Sequence, residues 1–269
     1  MKLDFSDPVT DQHFSIMCIP RDTERQRLIE HDVRIEADVS AAGGTGAPVS
    51  MPFGAELDGL GNPYVYGVIH EPHVLFCLTS EGIVEPTGAL YEEFEDPESV
   101  SLWRYRAESP FTAAGPTLTE LHRRWKADAP DDEYGMMLHY GNCVQQALSY
   151  VSGSTDVGTT AEQAVSIGSG VCQDYAHVMI ALLRMSGIPA RYVVGMIPGE
   201  GETHAWAEVN CRGYWYGIDP TNNALVNDNY IKFSHGRDYS ECMISRGIFT
   251  NPYAVQRTDA GVTVQEIPQ

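Results

Sequence analysis

The chain is poor in positive charge: 17 basic against 37 acidic side chains leave a formal net charge of −20 over 269 residues. A surface that negative repels phosphate backbones and anionic lipid, which argues against nucleic-acid and membrane partners. No stretch approaches the ~18 uninterrupted apolar residues of a membrane-spanning helix. The start, Met1-Lys2-Leu3-Asp4-Phe5, has an acid where an export signal needs an apolar core, so the expectation is a cytoplasmic protein. No two of the six cysteines form a C-x-x-C pair, which fits a reduced chain better than a disulfide scaffold or a zinc ribbon. There is no EF-hand loop, internal repeat or low-complexity tract, and neither a cofactor nor a metal is expected. His70-Glu71-Pro72-His73 might suggest metal ligands, but its proline removes the helix that a zinc-protease motif needs.

What is present is an ordinary globular mixture, 43% apolar and 20% charged, so disorder is excluded. Val33-Arg34-Ile35-Glu36-Ala37-Asp38-Val39 alternates apolar and charged residues, the pattern of a strand with one face on a core. His13–Ile19, Tyr64–His70 and Val74–Thr79 are further strands, with a Gly- and Pro-rich loop over Ala41–Pro63. Together they predict an N-terminal β-sandwich over residues 1–86.

From about Gly88 the pattern turns helical. Thr117-Leu118-Thr119-Glu120 and Thr159-Thr160-Ala161-Glu162 have the form of capping boxes, and a further helix is expected between Asp132 and Val151. Cys172 opens a helix whose apolar residues Ala176, Met179, Ile180 and Leu183 recur at helical spacing. Gly187 and Pro189 end it. Strands follow over Arg191–Ile197, Thr203–Asn210 and Tyr214–Asp219, the last two joined by a tight turn around Cys211-Arg212-Gly213.

A cysteine reacts as thiolate, and the first turn of a helix favours that charge through free N–H groups and the helix dipole. Cys172 holds such a position. Gly168 and Gly170 before it leave room for a substrate backbone. A two-residue turn at Cys211-Arg212 sets His204 opposite Asp219, so the carboxylate can fix the imidazole that activates the thiol. Singly, each signal is weak, because a free cysteine is more often an inert small apolar residue and a strand histidine is usually structural. Jointly, a helix start and two adjoining strands meet three independent requirements. Trp206 and Glu208 share the strand face of His204.

Gly170-Val171-Cys172-Gln173-Asp174-Tyr175-Ala176-His177, Arg184-Met185-Ser186-Gly187-Ile188-Pro189-Ala190-Arg191, His204-Ala205-Trp206-Ala207-Glu208 and Ile218-Asp219-Pro220-Thr221-Asn222 resemble the core of bacterial transglutaminase-like proteins. The resemblance extends to Gly236-Arg237-Asp238-Tyr239 and, more loosely, to Gly61-Asn62-Pro63. It implies an α+β, papain-like catalytic domain over residues 87–269, with the cysteine helix packed on an antiparallel sheet. It also implies Cys172 as nucleophile, His204 as general base and acid, and Asp219 as its orienting partner. Gln173, Trp206 and Asp238 are the candidates for substrate contacts. The implied reaction is acyl transfer from a peptide or protein amide, to water as a cysteine peptidase or amidase, or to an amine; a non-catalytic binding module is the alternative from another class. Two departures stand out. Gln173 replaces the tryptophan of animal transglutaminases, and Ser166-Ile167-Gly168-Ser169 lacks the oxyanion glutamine of papain-like proteases. The Cys172 N–H can serve as one oxyanion donor, with Tyr150, Gln145 and Gln146 as candidates for the second. The sequence leaves the substrate and the oligomeric state open.

Overall fold

The structure, a computed structural model, describes residues 1–39 and 46–267, without the side chain of Glu93. Of the loop expected over 41–63, residues 41–45 lie outside the described residues; the rest holds two short strands, Val49–Ser50 and Gly54–Leu57.

The N-terminal sheet is ordered Val49–Ser50, Gln26–Ala37, His73–Pro86, Lys2–Ile16, Pro63–Ile69, Gly54–Leu57. Alternation works as the sequence requires: Ile35 and Ala37 are buried while Arg34 and Glu36 face out. Strand Lys2–Ile16 belongs to both halves, pairing through Lys2–Asp4 with His73–Pro86 and through Gln12–Ile16 with Pro63–Ile69. Between these stretches the register shifts and Asp11 takes a positive φ of 48°, the kind of irregularity that lets one strand turn from one sheet to another. Leu3, Phe14, Ile35, Val65 and Phe76 close a common core between the halves. Strands Ser245–Thr250 and Gln256–Asp259, near the end of the chain, also pair with Lys2–Ile16. By pairing they therefore belong with the N-terminal sheet, although their sequence position lies within 87–269. The two histidines of the His-Glu-Pro-His segment part company: His70 meets Asp11, and buried His73 meets Gln12.

The second sheet is antiparallel, ordered Ala224–Leu225, Tyr214–Asp219, His204–Cys211, Ala190–Met196, Ile231–Gly236, with Glu92–Phe94 added beside Tyr214–Asp219. Five α-helices are present among the described residues: α1 (Val100–Arg106), α2 (Pro116–Lys126), α3 (Glu133–Ala147), α4 (Ala161–Ile167) and α5 (Cys172–Met185). Every residue of α5 from Asp174 to Arg184 is buried, because the helix lies between the sheet and helices α2, α3 and α4 in one apolar core. Burial of side chains such as Met179, Ile180, Leu182 and Leu183 stabilises by on the order of 2 kcal/mol each. Arg184 is tolerated there because the carbonyls of Tyr105, Ala190 and Arg237 and the Thr112 hydroxyl accept its guanidinium donors.

Two capping expectations change. Helix α2 begins at Pro116, one residue before Thr117, and the Glu162 carboxylate of α4 accepts from the N–H groups of Thr117 and Leu118 at 2.8 and 2.9 Å. In α4 the capping box is Thr160 with Gln163, one position later than the spacing suggests, and this frees Glu162 to cap α2.

The N-terminal sheet meets the second sheet at the edge strand Ile231–Gly236. There the Gln26 carboxamide pairs with the backbone N–H and C=O of Lys232 at 2.8 and 2.9 Å. The Asn62 carboxamide pairs likewise with His235 at 2.9 and 2.8 Å. Two buried amides thus satisfy edge groups that would otherwise be exposed for pairing with another chain.

Candidate active site

Cys172 is the first residue of α5 and is half-buried, at the helix end where backbone N–H groups lack intrahelical acceptors. The segment before it is held tightly. The Asp174 carboxylate reaches back to accept the Val171 N–H at 2.8 Å and is itself bonded by the Thr155 hydroxyl at 2.7 Å. The two glycines serve this local structure. Gly168 ends α4 in the left-handed region at φ 77°, and a Cβ at Gly170 would stand 2.5 Å from an Asp174 oxygen.

His204 and Asp219 arrive on adjacent strands. Their hairpin turns at Arg212-Gly213, both with positive φ (52° and 92°), the backbone of a type I′ turn. This is one residue later than expected, so Cys211 pairs with Tyr214 and Ala207 with Ile218. His204 is consequently offset from Asp219 along the ladder, yet His204 Nε2 donates to Asp219 Oδ2 across 2.8 Å. That bond occupies Nε2, and the Cys172 side chain lies near enough to the ring to favour its protonated form.

Asp219 is fully buried and over-determined. Its Oδ1 accepts from the N–H groups of Thr221 and Asn222, and its Oδ2 from the Asn222 amide at 2.7 Å and the Tyr230 hydroxyl at 2.9 Å as well as from His204. Burial opposes ionisation, but the bonds from His204, Asn222 and Tyr230 outweigh it and hold the carboxyl below its ordinary value. Burial likewise works against a charged His204. The hydrogen bonds and charges of Asp219 and Cys172 prevail, raising the imidazole to about 9. The other five thiols, Cys18, Cys77, Cys143, Cys211 and Cys242, are each pushed up by burial. Of the six, Cys172 alone has an imidazole held by a carboxylate beside it. Such a set can store a proton on the ring, offer a sulfur nucleophile, and return the proton to a leaving group.

Residues 122–220 match the transglutaminase-like superfamily core, and residues 1–85 match the bacterial transglutaminase-like N-terminal region. The chain belongs to the transglutaminase-like superfamily. Uncharacterized proteins Rv2569c of Mycobacterium tuberculosis and Mb2599c of Mycobacterium bovis are 30% identical to it over 92% of this chain and 85% of theirs. The fold is shared with a crystal structure described as a "putative cysteine protease" from Cytophaga hutchinsonii, at 19% identity and a TM-score of 0.71, covering 99% of this chain and 92% of that one.

Among the described residues, no side chain of the other residues singled out for this transglutaminase-like protein hydrogen-bonds the side chains of Cys172, His204 or Asp219. Gln173 donates its amide to the Val157 carbonyl and so braces the loop before α4. Trp206 is 1% exposed, with its ring centroid 6.4 Å from that of His204 and edge-on to Tyr230, so it backs the imidazole from inside. Glu208, on the same face, joins Glu92, Arg191 and Lys232 in a buried ion network. Asp238 is fully buried and accepts from Ser240; none of its hydrogen bonds among the described residues reaches Cys172, His204 or Asp219. Gln145 and Gln146 are exposed, and Gln146 bonds Asn142 on its own helix. Tyr150 is exposed but pairs through its backbone with Gly170, two residues from the thiol. Sequence reasoning missed Tyr230 altogether and gave Asn222 no role. The Asn222 contact was foreshadowed by the Asp-Pro-Thr-Asn turn, in which an Asp side chain commonly accepts backbone N–H groups. Tyr230 returns from a separate segment and had no local signal.

Proposed function

We propose that this protein is a thiol acyl-transfer enzyme that hydrolyses an amide or peptide bond through a thioester on Cys172. The observation that carries the reading is the buried, five-donor carboxylate of Asp219 holding His204 beside a thiol at a helix start. The Cys172 thiolate attacks the carbonyl carbon, and the backbone N–H of Cys172 donates to the resulting oxyanion. Protonated His204 gives its proton to the leaving nitrogen as the C–N bond breaks, leaving a thioester and a free amine. Neutral His204 then takes a proton from water, whose oxygen attacks the thioester carbon. Collapse releases a carboxylic acid, and the thiolate–imidazolium pair is restored. Asp219 holds the ring through both halves and stabilises its cationic form. Water is favoured as the acceptor because it is always present at high concentration. Peptide or protein amides are the substrate class. Six free thiols are in keeping with work in a reducing compartment such as the cytoplasm.

Iodoacetamide labelling at about pH 6, read by peptide mass spectrometry, tests the nucleophile. Cys172 should be alkylated well ahead of the other five cysteines, and a His204→Ala variant should lose that lead. Incubation with casein and dansylcadaverine then tests the acceptor: new amino termini that Cys172→Ala does not produce are expected. Alkylation of Cys172 no faster than of buried Cys242 would remove it as nucleophile, and fluorescent casein without new termini would replace hydrolysis by amine transfer.

A further inference from the structure

Three side chains donate to one oxygen of Asp219: His204 Nε2 at 2.8 Å, Asn222 Nδ2 at 2.7 Å and Tyr230 OH at 2.9 Å. An ionised carboxylate offers about two lone-pair sites per oxygen, so these donors compete for the same electron density. The Tyr230 phenol is held in this competition by its surroundings. Its ring packs edge-on against Trp206 with centroids 5.3 Å apart and lies 6.2 Å from the His204 ring. Trp206 keeps its place only because residue 195 is glycine, where a Cβ would stand 2.4 Å from the indole.

We propose that Tyr230 is a positioning residue that sets the basicity of His204, its phenol taking a share of the Asp219 oxygen that would otherwise go to the imidazole. The inference rests on the reading of Cys172 and His204 as the reacting pair, and adds a residue that acts on the imidazole through Asp219. The titratable groups facing the imidazole are Cys172 from α5, Asp219 from the neighbouring strand and Tyr230, whose ring lies 6.2 Å away; those facing Asp219 are His204 and Tyr230. An unshared carboxylate would hold the imidazolium proton more firmly. That would make His204 a weaker acid towards the leaving nitrogen and leave less of it neutral to activate water, whereas a proton-transfer group works best with a pKa near the working pH. Tyr230 opposes that drift, and Asn222 acts on the same oxygen in the same sense.

The experiment follows the His204 ring-proton titration by NMR in Cys172→Ala and in Cys172→Ala/Tyr230→Phe proteins, with the resonance assigned by its loss in His204→Gln. Phenylalanine keeps the ring against Trp206 and removes only the hydroxyl. The expected result is an upward move of the His204 midpoint of roughly half to one pH unit, a three- to tenfold change in proton affinity. A midpoint that stays put or moves down overturns the proposal, including when Tyr230→Phe lowers Tm, since that combination is what a purely structural phenol would give. If Tyr230→Phe does not fold, Asn222→Ala removes a different donor from the same oxygen: an upward shift sustains the sharing of Asp219, and no shift overturns it. The titration needs no turnover. It can therefore fail while Cys172 still leads in iodoacetamide labelling, and it can succeed where that labelling fails.

Discussion

Helix α5 is flanked by two histidine–aspartate neighbourhoods built from the same residue types to opposite ends. His204 donates directly to Asp219 at 2.8 Å and stands beside the Cys172 thiol with its side chain 11% exposed. His177 is wholly buried, stacked between Phe111 and Tyr192 with centroids 4.9 Å away on each side. Its Nε2 accepts the Tyr239 N–H at 3.1 Å, which requires a neutral ring. The nearby Asp238 carboxylate bonds the Ser240 backbone and hydroxyl instead of the ring. For His177 burial dominates and drives the imidazole down to about 3; for His204 the bonded carboxylate overrides burial and lifts it to about 9. What separates the raised imidazole from the depressed one here is where the carboxylate directs its lone pairs, not which residues are neighbours.

Neutralising each carboxylate is the largest way to break this contrast. Asp219→Asn should cost turnover heavily, because the amide favours the wrong imidazole tautomer; the comparable loss in a serine triad is ~10⁴. The loss should be smaller here, since a thiolate forms more readily than an alkoxide. Asp238→Asn should instead leave specific activity unchanged and lower stability by about 1.5–3 kcal/mol, the worth of a hydrogen bond to a charged group. Steady-state rates and urea midpoints on both variants decide it. A large activity loss in Asp238→Asn with normal stability would move that residue into the site.

Much of this was legible from local pattern. Alternation in Val33–Val39 marked a half-buried strand, and apolar spacing with Gly187 and Pro189 bounded α5. Cys172, His204 and Asp219 could be read because a helix start and two hairpin strands carry their own signals. What was illegible depended on distant partners. The cap of α2 comes from Glu162, some forty-five residues away in sequence. The hairpin turn moved one residue because Arg212 accepts a positive φ, its N–H held by Glu133 at 2.7 Å. Strands Ser245–Thr250 and Gln256–Asp259 are largely exposed and carry little alternation to announce them. Tyr230 reaches Asp219 only after the chain has turned back beside Trp206.

A second contrast lies on the acid side. His177 has a folded value of about 3 against an ordinary 6.5, so the unfolded chain binds its proton first as pH falls. Stability attributable to this ring is whole above pH 6.5 and declines below it, by about 1.4 kcal/mol per pH unit, or about 3 kcal/mol at pH 4.5. His177→Gln retains an acceptor for the Tyr239 N–H and does not titrate. Urea midpoints between pH 6.5 and 4.5 should fall for the parent protein and fall less steeply for the variant, in which buried His235, also pushed well down by burial, keeps its own share. An equally steep fall in the variant would place the acid sensitivity in other groups.

The smallest effect is the mirror of that one. His204 has a folded value raised from 6.5 to about 9, so its contribution is fully present below pH 6.5 and is lost as pH rises through 9. By about pH 8 the loss should reach about 2 kcal/mol. The proton is held by Asp219, and an asparagine there cannot hold it; Asp219→Asn should therefore be less stable at pH 6.5 yet change little between pH 6.5 and 8. The same urea series then yields two limbs, an acid limb that His177→Gln makes shallower and an alkaline limb that Asp219→Asn flattens. If His177→Gln flattened the alkaline limb, or if Asp219→Asn left that limb intact, the two histidines would not be the opposites that their hydrogen bonds make them.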